Sequence, residues 1–114
     1  MPLIQLQTNQ SSVSDADDFL AAATTEIANQ LGKPENLFMT VGQTGLNLKL
    51  AGSAEPAACI DIAGLGLTDE FTESLTAAIC KLAEQLLKTP AERVFVRFQN
   101  YERSMWGCNG KTFA

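Results

Sequence analysis

The chain has no histidine, one tryptophan and one tyrosine among its 114 residues. Without histidine, Ser–His and Cys–His nucleophilic pairs are excluded. A zinc site would then need all three cysteines and an acid. Cys59, Cys80 and Cys108 are odd in number, and no two are spaced as CxxC. They read as buried or incidental thiols of a reducing compartment. Basic residues are also few: Lys+Arg number 8 against 13 Asp+Glu, a formal net charge of -5. That balance argues against a nucleic-acid surface, which needs clustered cations to meet phosphates. No apolar run approaches the length of a membrane span. The N-terminus lacks the basic start and apolar middle of a signal peptide. The expectation is a cytoplasmic protein with neither nucleic acid nor membrane as partner, unconventional export staying open.

What is present suits a soluble globular domain: 46% hydrophobic and 18% charged residues, with residues 1–114 enough for one core and too few for two. "PLIQLQT" predicts a strand from Pro2 to Thr8. "SDADDFLAAATTEIANQLGK" predicts a helix capped by Ser14, with Asp15, Asp17 and Asp18 at the positive end of its dipole and Gly32 at C′. Its apolar stripe is Phe19, Leu20, Ala23, Ile27 and Leu31. "NLFMTVG" reads as a strand. "QTGLNLKLAGSAEP" reads as a turn, a short strand and a loop, and "AACIDIAG" as a central strand. A second helix, capped by Thr68 and stopped by Pro90, carries Phe71, Leu75, Ile79, Leu82 and Leu86 on one face. "RVFVRFQ" is a last long strand, with Val94, Val96 and Phe98 on one side and Phe95 and Arg97 on the other. The Gly- and Asn-rich tail has room for a short strand.

The two halves echo each other, each with a proline-led strand, an acid-opened helix and a return through a Pro-containing turn. Two βαβ units predict an α/β fold, a four-stranded mixed sheet with both helices on one face. The other sheet face is then uncovered. Read as rich in large apolar residues, it predicts burial against sister subunits in a homo-oligomer. Pro2 itself has two readings. Proline lacks a backbone N–H and is tolerated at the first position of a strand. If Met1 is removed, however, Pro2 carries a free secondary amine, a candidate general base. While Met1 stays attached, that nitrogen is an amide and no base.

The initial "MP", "GKP" after the first helix, "GSAEPAA", "GLG" before the second helix, "ERVFV" and the terminal "TFA" together resemble the macrophage migration inhibitory factor family of the tautomerase superfamily. The resemblance runs nearly end to end. It implies a homotrimer whose sheets enclose a central channel. It also implies keto–enol tautomerase activity on phenylpyruvate-like α-keto acids, with the N-terminal proline as base and no metal or organic cofactor. An ordinary α-amino group has a pKa of about 7.7–8.0. Burial and a nearby cation lower it towards the range a base needs.

By the same resemblance Lys33 binds the substrate carboxylate and is that cation. Taken alone it is an ordinary lysine near the negative end of a helix dipole. A backbone N–H at Leu65, preceded by Gly64, also holds the carboxylate. Phe95 stands where vertebrate members have a pocket tyrosine, keeping the ring and losing the hydroxyl. Arg97 replaces an asparagine. It is equally suited to bidentate carboxylate binding and to a solvated or intersubunit salt bridge. Trp106 takes the place of a smaller aliphatic, Cys108 that of a pocket tryptophan, and Phe113 keeps the near-terminal aromatic. Phe95, Trp106 and Phe113 would wall the pocket. The family's CxxC is absent because Ala57 replaces its first thiol, which removes the two-cysteine redox chemistry. Ser12 and Gly45 replace the charged pair associated with receptor mimicry, so receptor binding is poorly supported. The alternative to the enzyme is a cytokine-like binding or signalling protein with a vestigial pocket.

Overall fold

The computed structural model describes residues 2–114. Its main elements are β1 (Leu3–Thr8), α1 (Val13–Leu31), β2 (Met39–Gln43), β3 (Ala58–Leu65), α2 (Asp69–Leu86), β4 (Val94–Tyr101), β5 (Gly107–Cys108) and β6 (Lys111–Thr112). The first four long strands form a mixed sheet in the order β2-β1-β3-β4. β1 runs parallel to β2, β3 runs parallel to β4, and the two halves meet antiparallel through β1 and β3. Each parallel pair is joined by a helical crossover, as a parallel connection requires. The repeat legible in the sequence is therefore a structural one.

Both helices lie on one sheet face. Strand alternation sends Ile4, Leu6, Ile60 and Ile62 to that face, where they are at most 1% exposed. Phe19, Ala23 and Ile27 of α1 and Leu75, Ile79 and Ala83 of α2 close over them, each fully buried. Leu31, Phe71, Leu82 and Leu86 flank this core half-buried. The polar atoms inside it are satisfied: the Thr8 hydroxyl donates to the Ala57 carbonyl at 2.9 Å, as burial of a polar group demands.

Several local details differ from expectation. The cap of α1 is Ser12, not Ser14: the Ser12 side chain accepts from the Asp15 amide at 3.2 Å. Starting the helix two residues earlier puts the hydroxyl within reach of N3, the position a cap serves. Gly32 ends α1 as expected, with φ +65. Thr68 precedes α2 but caps no amide; its hydroxyl donates to the Glu70 carboxylate instead. Helix α2 ends at Leu86, and Lys88 with φ 52 turns the chain before Pro90 is reached. The short strand expected in residues 43–56 is reduced to an isolated Leu50–Ser53 bridge.

That segment is fastened by side chains. Asn9 donates to the carbonyls of Leu48, Ala54 and Glu55 and accepts from the Ala57 amide. Arg93 donates to those of Ser53, Glu55 and Pro56. The tail forms a small hairpin, β5 against β6, about Asn109 and Gly110 with φ of 54 and 79. Two consecutive positive φ values are those of the tight turn that matches strand twist.

The uncovered sheet face is more polar than expected. Met39, Val41, Phe95 and Tyr101 are exposed on it, but Gln5, Gln7, Gln43 and Gln99 lie among them. Gln7 and Gln43 bond to each other across β1 and β2 at 3.1 Å. Asp61 and Arg97, opposite each other in β3 and β4, form a bidentate pair at 2.5 and 3.0 Å.

Candidate active site

A cavity of about 840 Å³ opens at the end of the sheet where β3 and β4 finish. It is lined by Lys33 and Leu37 from the turn after α1, by Leu65 and Gly66 at the end of β3, by Asn100 and Tyr101 at the end of β4, and by the segment that follows. The tail is held in place by its own backbone. The Phe113 amide lies 3.1 Å from both the Arg103 and Trp106 carbonyls, and Arg103 Nε donates to the Phe113 carbonyl at 2.8 Å.

Lys33 is placed by the end of α1. Its backbone amide closes on the Ala28 carbonyl at 3.0 Å beside left-handed Gly32. Its Nζ donates to the Leu65 carbonyl at 2.7 Å, and no carboxylate pairs with it among the described residues. The bond ties the α1 end to the β3 end and leaves an ammonium facing the cavity wall. Pro2 is buried at the head of β1, and its carbonyl accepts from the Met39 amide at 3.0 Å. The antiparallel register pairs Leu3 with Ala63, so one step further Pro2 stands opposite Gly64. The start of β1, the end of β3 and the Lys33 side chain thus converge on one corner. Met1, whose removal would free the Pro2 nitrogen, lies outside the described residues.

Of the residues expected to hold or wall a substrate, Lys33, Leu65 and Phe113 line this cavity together. Gly64 is buried just behind Leu65. Pro2, Phe95, Arg97 and Trp106 do not line it. Phe95, 58% exposed, borders a separate recess of about 110 Å³ near Leu48 and Leu50. Arg97 borders a shallow groove on the uncovered sheet face, committed to Asp61 within the same chain. The bond to that carboxylate raises the Arg97 pKa. Trp106 packs edge-on against Tyr101, ring centroids 5.3 Å apart, while Cys108 borders the cavity.

Tyr101, Arg103 and Lys111 also line the cavity, and none stands out in the sequence. Tyr101 closes β4, while the tail that carries Arg103 and Lys111 shows no periodicity, so only its folded path brings those two to the mouth. The three cysteines are free. Burial raises the thiol pKa of Cys59, aided by Asp61 and opposed by Arg97. Burial, with Glu84, raises that of Cys80. Neither lies at the cavity, and Cys108 is exposed.

The whole chain, residues 1–114, matches the family described as macrophage migration inhibitory factor. A macrophage migration inhibitory factor homolog of Brugia malayi is 32% identical, with 99% of both chains covered. The crystal structure of the homologue from Prochlorococcus marinus superposes with a TM-score of 0.91 at 33% identity, covering 98% of this chain and 99% of that one. The macrophage migration inhibitory factor of Trichinella spiralis superposes with a TM-score of 0.87 at 26% identity, covering 97% and 99%. Sequence and fold agree from end to end, and the chain belongs to the macrophage migration inhibitory factor family of the tautomerase superfamily.

Proposed function

We propose that the protein is a keto–enol tautomerase for phenylpyruvate-like α-keto acids, with the Pro2 nitrogen as general base once Met1 is removed. The observation that carries this reading is the register that sets buried Pro2 opposite Gly64, one residue from Leu65, whose carbonyl holds the Lys33 ammonium where both Lys33 and Leu65 line a cavity. Burial and a neighbouring cation both disfavour a protonated amine, which keeps a base in its reactive form near neutral pH. The substrate carboxylate sits at Lys33 and the Leu65 backbone. The substrate ring lies against Leu37 and Phe113, and Pro2 moves the proton at the carbon next to the keto group. Phe95 supplies no hydroxyl, and the Tyr101 phenol at the cavity is the available donor to the enol oxygen.

The working form is a homotrimer in which the uncovered sheet faces meet. Phe95 and Arg97 then act at a neighbouring subunit's cavity. Exposure of Met39, Val41, Phe95 and Tyr101 on that one face supports the assembly.

The test is phenylpyruvate ketonisation by wild type and Pro2→Gly, with mass spectrometry confirming that Met1 is gone. Loss of a general base costs about 10²–10⁴ in rate, and a drop of that size is the expected result. Equal rates would reduce Pro2 to a strand-starting proline.

A further inference from the structure

The charge around the cavity runs against the charge of the molecule. The chain carries 13 acids and 8 cations, yet the cavity is lined by three cations, Lys33, Arg103 and Lys111, and one acid, Glu102. The sole ion pair among the described residues is Arg97 with Asp61, on the sheet face. Arg103 is anchored through Nε to the Phe113 carbonyl, which leaves its two terminal nitrogens without a partner among the described residues. Lys111 is fixed opposite Cys108 in the β5–β6 hairpin, and its ammonium has no partner there either. Gathering unpaired cations at one mouth costs mutual repulsion that an anion relieves.

We propose that this site selects dianionic α-keto acids. One carboxylate sits at Lys33, an apolar or aryl middle lies against Leu37 and Phe113, and a distal carboxylate reaches Arg103 and Lys111. The inference rests on the tautomerase reading for the word substrate, but the binding preference stands apart from turnover. A cavity of about 840 Å³ is roomy enough for an aryl ring bearing two carboxylates, within the range of roughly 300–1,000 Å³ usual for small-molecule sites. Arginine offers a planar fork to a carboxylate and lysine a mobile point charge, so the pair tolerates distal groups at more than one reach.

The experiment compares cinnamate with 4-carboxycinnamate, which differ only in the distal carboxylate and do not tautomerise. Binding is followed by NMR titration of the full chain at low and at high salt. The dicarboxylate should bind about tenfold more tightly at low salt, and the advantage should shrink as the Debye length falls. Lys111→Gln should reduce the preference and Arg103→Gln/Lys111→Gln should abolish it. The single variant keeps the Arg103–Phe113 anchor, so it reports on charge alone. Equal affinity in wild type, or a preference that survives the double variant, would overturn the proposal. Turnover of phenylpyruvate and 4-carboxyphenylpyruvate is measured alongside. If neither is converted, the tautomerase reading fails, while the titration still decides the dianion site.

Discussion

Replacing Arg93 by methionine removes a guanidinium and keeps a similar stem. The Arg93 Nε donates to the Pro56 carbonyl at 2.9 Å, and one terminal nitrogen reaches the carbonyls of Ser53 and Glu55 at 2.9 and 3.0 Å. The other lies 3.5 Å from the Leu50 carbonyl, at the edge of bonding range. A net hydrogen bond contributes about 0.5–1.5 kcal/mol. Arg93 and these carbonyls are partly exposed, so water replaces some of the loss and the lower half of that range applies. Three good bonds then give about 2 kcal/mol. Unfolding entropy of about 2.1 cal/mol/K per residue makes 1 kcal/mol worth about 4 °C in a chain of this size. The expected fall in Tm is about 8 °C, read by circular dichroism at fixed protein concentration.

Arg93→Lys should recover less than half, because one ammonium cannot serve three carbonyls. Asn9→Ala should weaken the same segment, since Asn9 Nδ2 also donates to the Glu55 carbonyl, at 2.8 Å. The double variant should cost less than the sum, for once the segment is loose the second clamp holds little. A fall below about 2 °C for Arg93→Met, or strict additivity with Asn9→Ala, would refute the reasoning.

Other consequences are equally direct. Ser12→Ala should cost about 1 kcal/mol in urea unfolding and Ser14→Ala almost nothing, because the Asp15 amide bonds to Ser12. Phe19→Ala should cost about 3–5 kcal/mol, since the ring is fully buried between α1 and the sheet and its loss leaves a cavity; a smaller loss in denaturant titration would show that the core collapses around the gap. Iodoacetamide followed by peptide mass spectrometry should modify Cys108 first and Cys59 and Cys80 slowly, as the latter two are half-buried with raised pKa values. The same shifts set a sign for alkaline stability: the folded chain holds two protons that the unfolded chain releases. Stability is therefore full below about pH 8.5 and declines as pH rises towards the folded-state values. Cys59→Ala/Cys80→Ala should flatten that decline in urea titrations across the range.

The sequence alone determined the repeated βαβ units, the helix stripes and the alternation that divides β4 between Val94, Val96, Phe98 and Phe95, Arg97. These are local periodicities, and burial of one face per element leaves few ways to satisfy them. It also carried the family motifs from "MP" to "TFA", and with them Pro2 and Lys33 as candidates. Tertiary structure decided the rest because the deciding partners are distant in the chain. Arg97, equally suited by its sequence to a substrate or a salt bridge, meets Asp61 because β3 and β4 pair in that register. Residues 43–56 look partly strand-like, yet Asn9 and Arg93 side chains take the carbonyls a neighbouring strand would otherwise bond. Arg103 and Lys111 become a cationic rim only when the Asn109–Gly110 turn folds the tail over the end of β3. No local pattern announces a charge whose meaning comes from what it is folded against.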